Sequence, residues 1–382
     1  MIYTGSMASQ RPVQHAGLVQ HAGSSGVMRS PQAQIREKFA ADELATVLSH
    51  YDIGIIQSIA EFPRGSRRAP KLLIASERGK FLLKRRARGK DDPFKVAYAH
   101  AIQLFLTAKQ FPVPHLIGTR NYNNSMLQWR NGVYELFEYI PGQNYPQTLE
   151  STADAGRVLA LYHKLLREFK SQWQPSSGSY HRASAVEQGL KTIGGNPPSA
   201  PPATPPPKDS VDIRQLLNDL AHAYRKAGDA VQAQGADKWP ITIVHADWHP
   251  GNMLFRENRV VAVIDHDSAR QLPPALDVAN GLLQFSIIGG EEDVSQWPAY
   301  LDESRYHWFV RGYRQVMPLS DQEARAIPHL MIEALIAEAV FPIAQTGAIG
   351  RLEGVPFLQM VMRKVKWLEQ AAEKLGKLVH QH

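Results

Sequence analysis

The hydrophobic period of this chain changes near residue 140, and that change limits what it can fold into. Before it, apolar residues come in short runs, Ile55-Ile56, Leu72-Leu73-Ile74 and Phe81-Leu82-Leu83, separated by the turn-forming stretches Pro63-Arg64-Gly65-Ser66 and Glu77-Arg78-Gly79. This spacing predicts three antiparallel strands. One helical pattern follows over 93–110, with Val96, Ala99, Ile102, Phe105 and Leu106, and stops before Phe111-Pro112-Val113-Pro114. Further strands are predicted at 116–118, 126–129 and 133–139, and Pro141-Gly142 then turns the chain. Beyond it the period is helical, beginning with Val158, Leu159, Tyr162, Leu165 and Leu166 on one face of 155–169. The expected class is α+β: a small antiparallel sheet lobe with one helix, followed by a larger, mainly helical lobe.

The expected organisation is a loose tail over 1–34, a first lobe over 35–140 and a second over 141–382. The tail is rich in Gln, Ser, Gly, Ala and His and lacks the apolar stretch of a signal peptide. Within the second lobe, 174–210 carries seven prolines between Pro197 and Pro207 and reads as a flexible surface insertion. The apolar stretch from Met331 to Ala344 is interrupted by Glu333, Glu338 and Pro342, so no membrane segment is expected and the protein is placed in the cytoplasm. With no cysteine, thiol nucleophiles and cysteine-ligated metals are excluded.

The chemistry concentrates between two short β-branched runs, 241–244 and 260–264, both predicted strands. The first leads into His245-Ala246-Asp247-Trp248-His249-Pro250-Gly251-Asn252, and the second ends in Asp265-His266-Asp267. Asp247 precedes Asn252 by 5 residues and Asp265 by 18. A loop holding a carboxylate and an amide, followed by a strand-end carboxylate, suits phosphoryl transfer, in which positioning and charge neutralisation are the main tasks. Asn252 and Asp265 supply the hard oxygens that Mg²⁺ requires, and Asp247 is placed to orient or deprotonate an attacking hydroxyl.

These residues resemble those of the aminoglycoside phosphotransferase and choline kinase family, relatives of the protein kinases. The family's H-x-D-x-x-x-x-N loop is met by His245, Asp247 and Asn252, and its I-D-x-[DE] by Ile264, Asp265 and Asp267. The resemblance runs over about 55–345, the proline insertion excepted, and implies a two-lobed protein-kinase-like fold with ATP or GTP and Mg²⁺ in the cleft. It implies that Asp247 is the catalytic base, that His245 braces the loop, that Asn252, Asp265 and Asp267 hold the metal, and that Asp277 supports the catalytic loop. Lys84, at the end of the third predicted strand, matches the phosphate-pairing lysine. Gly65 and Ser66 fall where a phosphate-covering loop belongs, although an ordinary hairpin turn is an equal reading. Glu135 and Phe137 lie in the segment that contacts the nucleotide base. The chain departs from the pattern in one respect: the 93–110 helix has no glutamate for Lys84, and His100 and Gln103 are the nearest polar substitutes.

Between Phe62 and Lys90 there are eleven basic residues against one acid, Glu77, and much of the net charge of +7 comes from here. Phosphate binding is the reading adopted; a solvated face and nucleic acid are the alternatives, and the run lacks the interleaved aromatics of a stacking platform. Trp297, Tyr300, Tyr306, Trp308 and Tyr313 lie among Glu291, Glu292, Asp293, Asp302 and Glu303, which reads as core packing with an acidic rim or as a cation-binding acceptor pocket. The expected function is a small-molecule kinase that phosphorylates a hydroxyl of an aminoglycoside, amino alcohol or sugar-like acceptor, with no membrane or nucleic-acid partner. The alternative is a non-catalytic nucleotide-binding scaffold of the same fold.

Overall fold

The computed structural model describes residues 36–195, 212–289 and 293–380. The tail expected over 1–34 and the proline run of the insertion lie outside them. Helix α1 (Ala41–Ser49) precedes strands β1 (Ile56–Glu61), β2 (Lys71–Ser76) and β3 (Gly79–Arg85), helix α2 (Pro93–Ala108), and strands β4 (Leu127–Trp129) and β5 (Gly132–Glu138). The five strands form one antiparallel sheet in the order β1-β2-β3-β5-β4. Residues 116–118, expected as a strand, contribute only the isolated bridge Leu116↔Phe137.

Side chains alternate across a strand, so register decides which residues share a face. Leu72, Ile74, Phe81, Leu83, Tyr134 and Leu136 are buried and close a small core under α1 with Val47, Tyr51 and Ile53. The opposite face carries two rows. Lys71 lies opposite Lys84 and Lys84 opposite Glu135; next to them Leu73 lies opposite Leu82 and Leu82 opposite Phe137. A cationic and an apolar row therefore run side by side across three strands. Helix α2 turns its apolar side elsewhere, since Tyr98, Ile102 and Leu106 belong to the core of the second lobe.

That lobe comprises α3 (Leu149–Leu166), α4 (Ser184–Gly195), α5 (Ile213–Ala233), β6 (Thr242–Val244), β7 (Met253–Arg256), β8 (Arg259–Val263), β9 (Arg270–Leu272), α6 (Pro274–Ser286), α7 (Glu303–Arg314), α8 (Asp321–Thr346), β10 (Ala348–Ile349), β11 (Leu352–Glu353) and α9 (Gly354–His380). Part of the stretch expected as a flexible insertion is folded: α4 buries Val186, Leu190 and Ile193. The proline-rich composition of the segment masked this short amphipathic turn. Helix α8 is long and apolar enough to cross a membrane by composition, yet 78% of its apolar window is buried inside the lobe. A capping box between Ser320 and Glu323 starts it, and Gly347 in the left-handed region ends it.

Helices α3 and α7 approach backbone to backbone through two glycines. A Cβ at Gly156 would stand 2.1 Å from the Phe309 carbonyl oxygen, and one at Gly312 would stand 1.8 Å from that of Ala153. Neither neighbour is a side chain that can swing aside. Gly312→Ala is therefore expected to separate the helices and lower stability by about 2–3 kcal/mol, as overpacking does. Chemical denaturation checks this, and an unchanged midpoint would contradict the contact.

Candidate active site

Strands β6 and β9 are paired, as are β7 and β8, and the two hairpin-like pairs present 245–252 and 264–268 at the edge of the sheet lobe. The chain leaves β6 through Ala246, whose φ of 58° lies in the left-handed region. A non-glycine residue there costs about 1–3 kcal/mol and persists only when its surroundings enforce it. Here Asp277, in the first turn of α6, does so. Its carboxylate accepts the backbone N–H of His245 at 2.7 Å and that of Ala246 at 2.9 Å. His163 lies 3.0 Å from the same carboxylate through Nε2 and 2.9 Å from the Tyr313 hydroxyl through Nδ1. The His245 ring is fully buried, edge-on to Trp248 at 5.3 Å and to Tyr162 at 5.6 Å.

Asp247 follows this turn, with its side chain 18% exposed. The Asn252 amide donates to the Asp247 backbone oxygen and to its Oδ2, both at 3.0 Å. The Asn252 carbonyl oxygen takes part in neither bond. Asp265, with φ 66° and ψ 66°, opens the 3-10 turn after β8, and its charge acts on both Lys71 and Lys84. Asn252 and Asp265 thus offer hard oxygens beside the cationic row. No group of three or more His, Asp or Glu gathers around a cation site among the described residues. That donor set fits Mg²⁺, which usually takes one or two protein ligands and completes its shell with phosphate oxygens and water.

Glu135 takes the place of the absent helix glutamate. Its Oε2 lies 3.4 Å from Lys84 Nζ, and its Oε1 lies 2.7 Å from both Arg86 and His100 Nε2. The register explains the substitution, since Glu135 stands directly opposite Lys84 on the neighbouring strand. Burial alone would raise the Glu135 carboxyl, but the charges of Lys84 and Arg86 and the His100 hydrogen bond hold it well below the usual carboxylate range. Arg86 also forks onto Asp267 at 2.8 and 2.9 Å and so ties the sheet lobe to the 264–268 turn. Both oxygens of Asp267 are engaged in this fork. Gln103 instead donates to the Pro114 carbonyl oxygen at 2.5 Å.

Lys71, which the motifs do not mark, faces the same cleft. Burial and then the neighbouring charge of Lys84 push its ammonium down to about 8, against the opposing pull of Asp265. The 63–66 turn crosses directly above it: a Cβ at Gly65 would come 2.6 Å from Lys71 Nζ. Arg36 holds the turn through the carbonyl oxygens of Pro63, Gly65 and Ser66, at 2.8, 3.3 and 3.2 Å. The Ser66 hydroxyl accepts the Arg68 N–H at 3.2 Å, as in an ordinary local turn.

Several described residues of the aromatic and acidic set around 291–313 are engaged elsewhere. Tyr306 and Tyr313 are fully buried core residues, Asp293 and Asp302 cap local turns, and Glu303 pairs with Lys374. Glu291 and Glu292 lie outside the described residues. A polar group that sequence reading missed lies closer to the loop: Asn280 and Gln284 of α6 each donate to Glu338 of α8, at 2.5 and 2.6 Å. The signal available was the spacing of Asp277, Asn280 and Gln284 on one helical face.

A small sheet lobe and a helical lobe meeting at such a cleft define a protein-kinase-like phosphotransferase. The chain belongs to the phosphotransferase enzyme family (APH), whose model matches residues 58–319. Two curated relatives are homoserine kinases: that of Phenylobacterium zucineum is 26% identical over 298 residues, covering 76% of this chain and 80% of the relative. That of Afipia carboxidovorans is 25% identical over 306 residues, with 76% and 80% covered. Among solved structures, an aminoglycoside phosphotransferase from Alicyclobacillus acidocaldarius aligns with a TM-score of 0.65 at 16% identity, covering 92% of this chain and 99% of that one. A microcompartment-associated aminopropanol kinase aligns with a TM-score of 0.63 at 14% identity, covering 88% and 99%. The protein is an ATP-dependent small-molecule phosphotransferase that acts on a hydroxyl.

Replacing Glu135 with Gln takes the ion-pair partner from Lys84 and leaves Arg86 paired with Asp267 alone, and a loss of about 3–5 kcal/mol is expected. The native carboxyl is depressed, so its contribution is complete above the ordinary value of 4.5 and is lost as pH falls toward the lower native value. Denaturation curves of the wild type and Glu135→Gln are thus expected to differ most near neutrality and to converge in acid. A gap that does not change with pH would contradict the ion-pair account.

Proposed function

We propose that this protein transfers the γ-phosphate of ATP to the hydroxyl of a small amino alcohol or hydroxy amino acid of the homoserine kind. The observation that supports transfer is Asp265 acting on both Lys71 and Lys84, with the Asp247–Asn252 pair on the loop before it, and the acceptor class follows the homoserine kinases to which the chain is similar. The nucleotide base lies against the apolar row of Leu73, Leu82 and Phe137, and the phosphates lie over Lys71 and Lys84 beneath the Gly65-Ser66 turn. Glu135 enters as the charge partner that positions Lys84. Asn252 and Asp265 hold Mg²⁺, which when bound neutralises the phosphate oxygens. Asp267 enters as the anchor of Arg86, each of its oxygens accepting one guanidinium N–H.

Asp247 accepts the proton of the acceptor hydroxyl as its oxygen bonds to the γ-phosphorus. The bond from that phosphorus to the β–γ bridging oxygen breaks, and ADP leaves with the electron pair. The Asn252 amide on Asp247 Oδ2 orients the carboxylate, and Oδ1, which lies 3.6 Å from His249 Nε2, is the oxygen that takes the proton. The non-catalytic reading rested on the missing helix glutamate and on the single-glycine phosphate loop, and Glu135 answers the first of these.

Asp247→Asn is expected to lower kcat by about 10²–10⁴-fold with nucleotide affinity retained, the range for loss of a general base. Asp265→Ala is expected to weaken binding of Mg²⁺-ATP and not that of metal-free ATP. Transfer from labelled ATP to L-homoserine and calorimetric nucleotide titrations measure both. Wild-type turnover by Asp247→Asn would remove the base from the mechanism, and unchanged Mg²⁺-ATP affinity in Asp265→Ala would remove the metal ligand.

A further inference from the structure

The turn that crosses above Lys71 contains a single glycine, Gly65, so its peptide groups need some other means of being held toward a phosphate. The carbonyl oxygens of Pro63, Gly65 and Ser66 converge on one guanidinium, that of Arg36, at 2.8, 3.3 and 3.2 Å. In a trans peptide the N–H points opposite to the C=O. Gathering the Pro63 and Gly65 carbonyls onto Arg36 therefore turns the N–H groups of Arg64 and Ser66 away from it. No acceptor among the described residues takes either N–H. The intervening Arg64 carbonyl oxygen instead accepts from Lys71 Nζ at 3.2 Å, and Gly65, with φ 79°, allows that alternation. The bond uses one of the three N–H groups of the Lys71 ammonium.

Arg36 stands on a short strap, residues 36–40, that leads into α1 and lies outside the 58–319 stretch matched by the family model. The strap is fixed at several points. The Glu37 N–H donates to the Arg67 carbonyl oxygen at 2.9 Å, and the Glu37 carboxylate pairs with Arg85 at 2.9 Å. Arg85 also donates to the Lys38 carbonyl oxygen at 3.3 Å, lies 5.4 Å from the Phe39 ring and pairs with Glu43 of α1 at 2.6 Å. Arg85 is the residue after Lys84 in β3. The strap thus joins the strand that carries one phosphate-facing lysine to the turn that crosses above the other.

We propose that Arg36 is a positioning residue for the nucleotide: by collecting carbonyls on its own side, it holds the Arg64 and Ser66 N–H groups as donors to the phosphate oxygens of Mg²⁺-ATP. This rests on the transfer reading above, which lays the phosphates beneath the turn, and adds the residue that shapes the turn. A planar guanidinium suits the task, since its donors spread in a fixed fork, whereas an ammonium is a point charge that cannot span three carbonyls along a chain. The charge of Arg36 also acts on Lys71, so the strap adds to the positive field that meets the phosphates.

The test compares wild type with Arg36→Ala and Arg36→Lys. Each protein is titrated calorimetrically with Mg²⁺-ATP and with adenosine, which lacks the phosphates, and transfer to L-homoserine is followed in parallel. Arg36→Ala is expected to lose affinity for Mg²⁺-ATP by about tenfold or more, the size of a lost hydrogen bond to a charged group, with adenosine bound as in the wild type. KM for ATP is expected to rise by the same factor while KM for L-homoserine holds. Arg36→Lys, which keeps the charge without the fork, is expected to lose nearly as much. Equal Mg²⁺-ATP affinity in wild type and Arg36→Ala, an equal loss for ATP and adenosine, or wild-type affinity in Arg36→Lys overturns the proposal. Transfer separates the two claims: normal transfer with equal affinities in all three proteins rejects the role of Arg36 alone, while Arg36-dependent binding of Mg²⁺-ATP without transfer rejects the transfer reading alone. Absence of Mg²⁺-ATP binding by the wild type rejects both.

Discussion

The grip of Asp277 on the backbone of residues 245 and 246 is the constraint on which the site depends. A left-handed alanine is unfavourable by itself, and it is this turn that sends Asp247 out of β6 toward the cleft. Two short N–H bonds to one buried carboxylate hold the turn, and His163 and Tyr313 extend that support into the helical core. Because Asp277 opens α6, the position of the loop is fixed by the packing of a whole buried helix. A rigid element thus sets the geometry of a loop residue, which is what chemistry sensitive to small misplacements requires.

A second constraint joins the lobes. Arg86 leaves β3 and reaches Glu135 on one side and Asp267 on the other, so the pair that orders Lys84 and the turn that carries Asp265 share one buried guanidinium. Its planar fork suits this double role. Helix α2 reinforces the joint in another way: its apolar side enters the core of the helical lobe while His100 reaches back to Glu135. The relative position of the two halves of the cleft is therefore set by a residue two positions along the chain from Lys84.

Much of this was legible from the residues. The short apolar runs marked all five strands of the sheet, and the spacing of His245, Asp247, Asn252 and Asp265 marked residues that the fold brings together, because they are close in sequence. The partner of Lys84 was not legible, although Glu135 had been singled out, because recognising it needs the register that sets β5 against β3. Strands β7 and β9 escaped because they are 4 and 3 residues long and gain their place only by pairing. Helix α4 was hidden by the prolines that follow it. In the sequence Glu338 reads as an interruption in an apolar stretch; only the packing of α8 against α6 pairs it with Asn280 and Gln284.

The most direct test of the central claim is a ³¹P NMR record of ATP consumption by the wild-type protein with Mg²⁺ and L-homoserine, with Asp247→Asn alongside. The account predicts a phosphate monoester resonance that grows as ADP forms, coupled to the acceptor's methylene protons, and that fails to grow in Asp247→Asn. Inorganic phosphate as the sole product, or a monoester that forms equally in the variant, would contradict it.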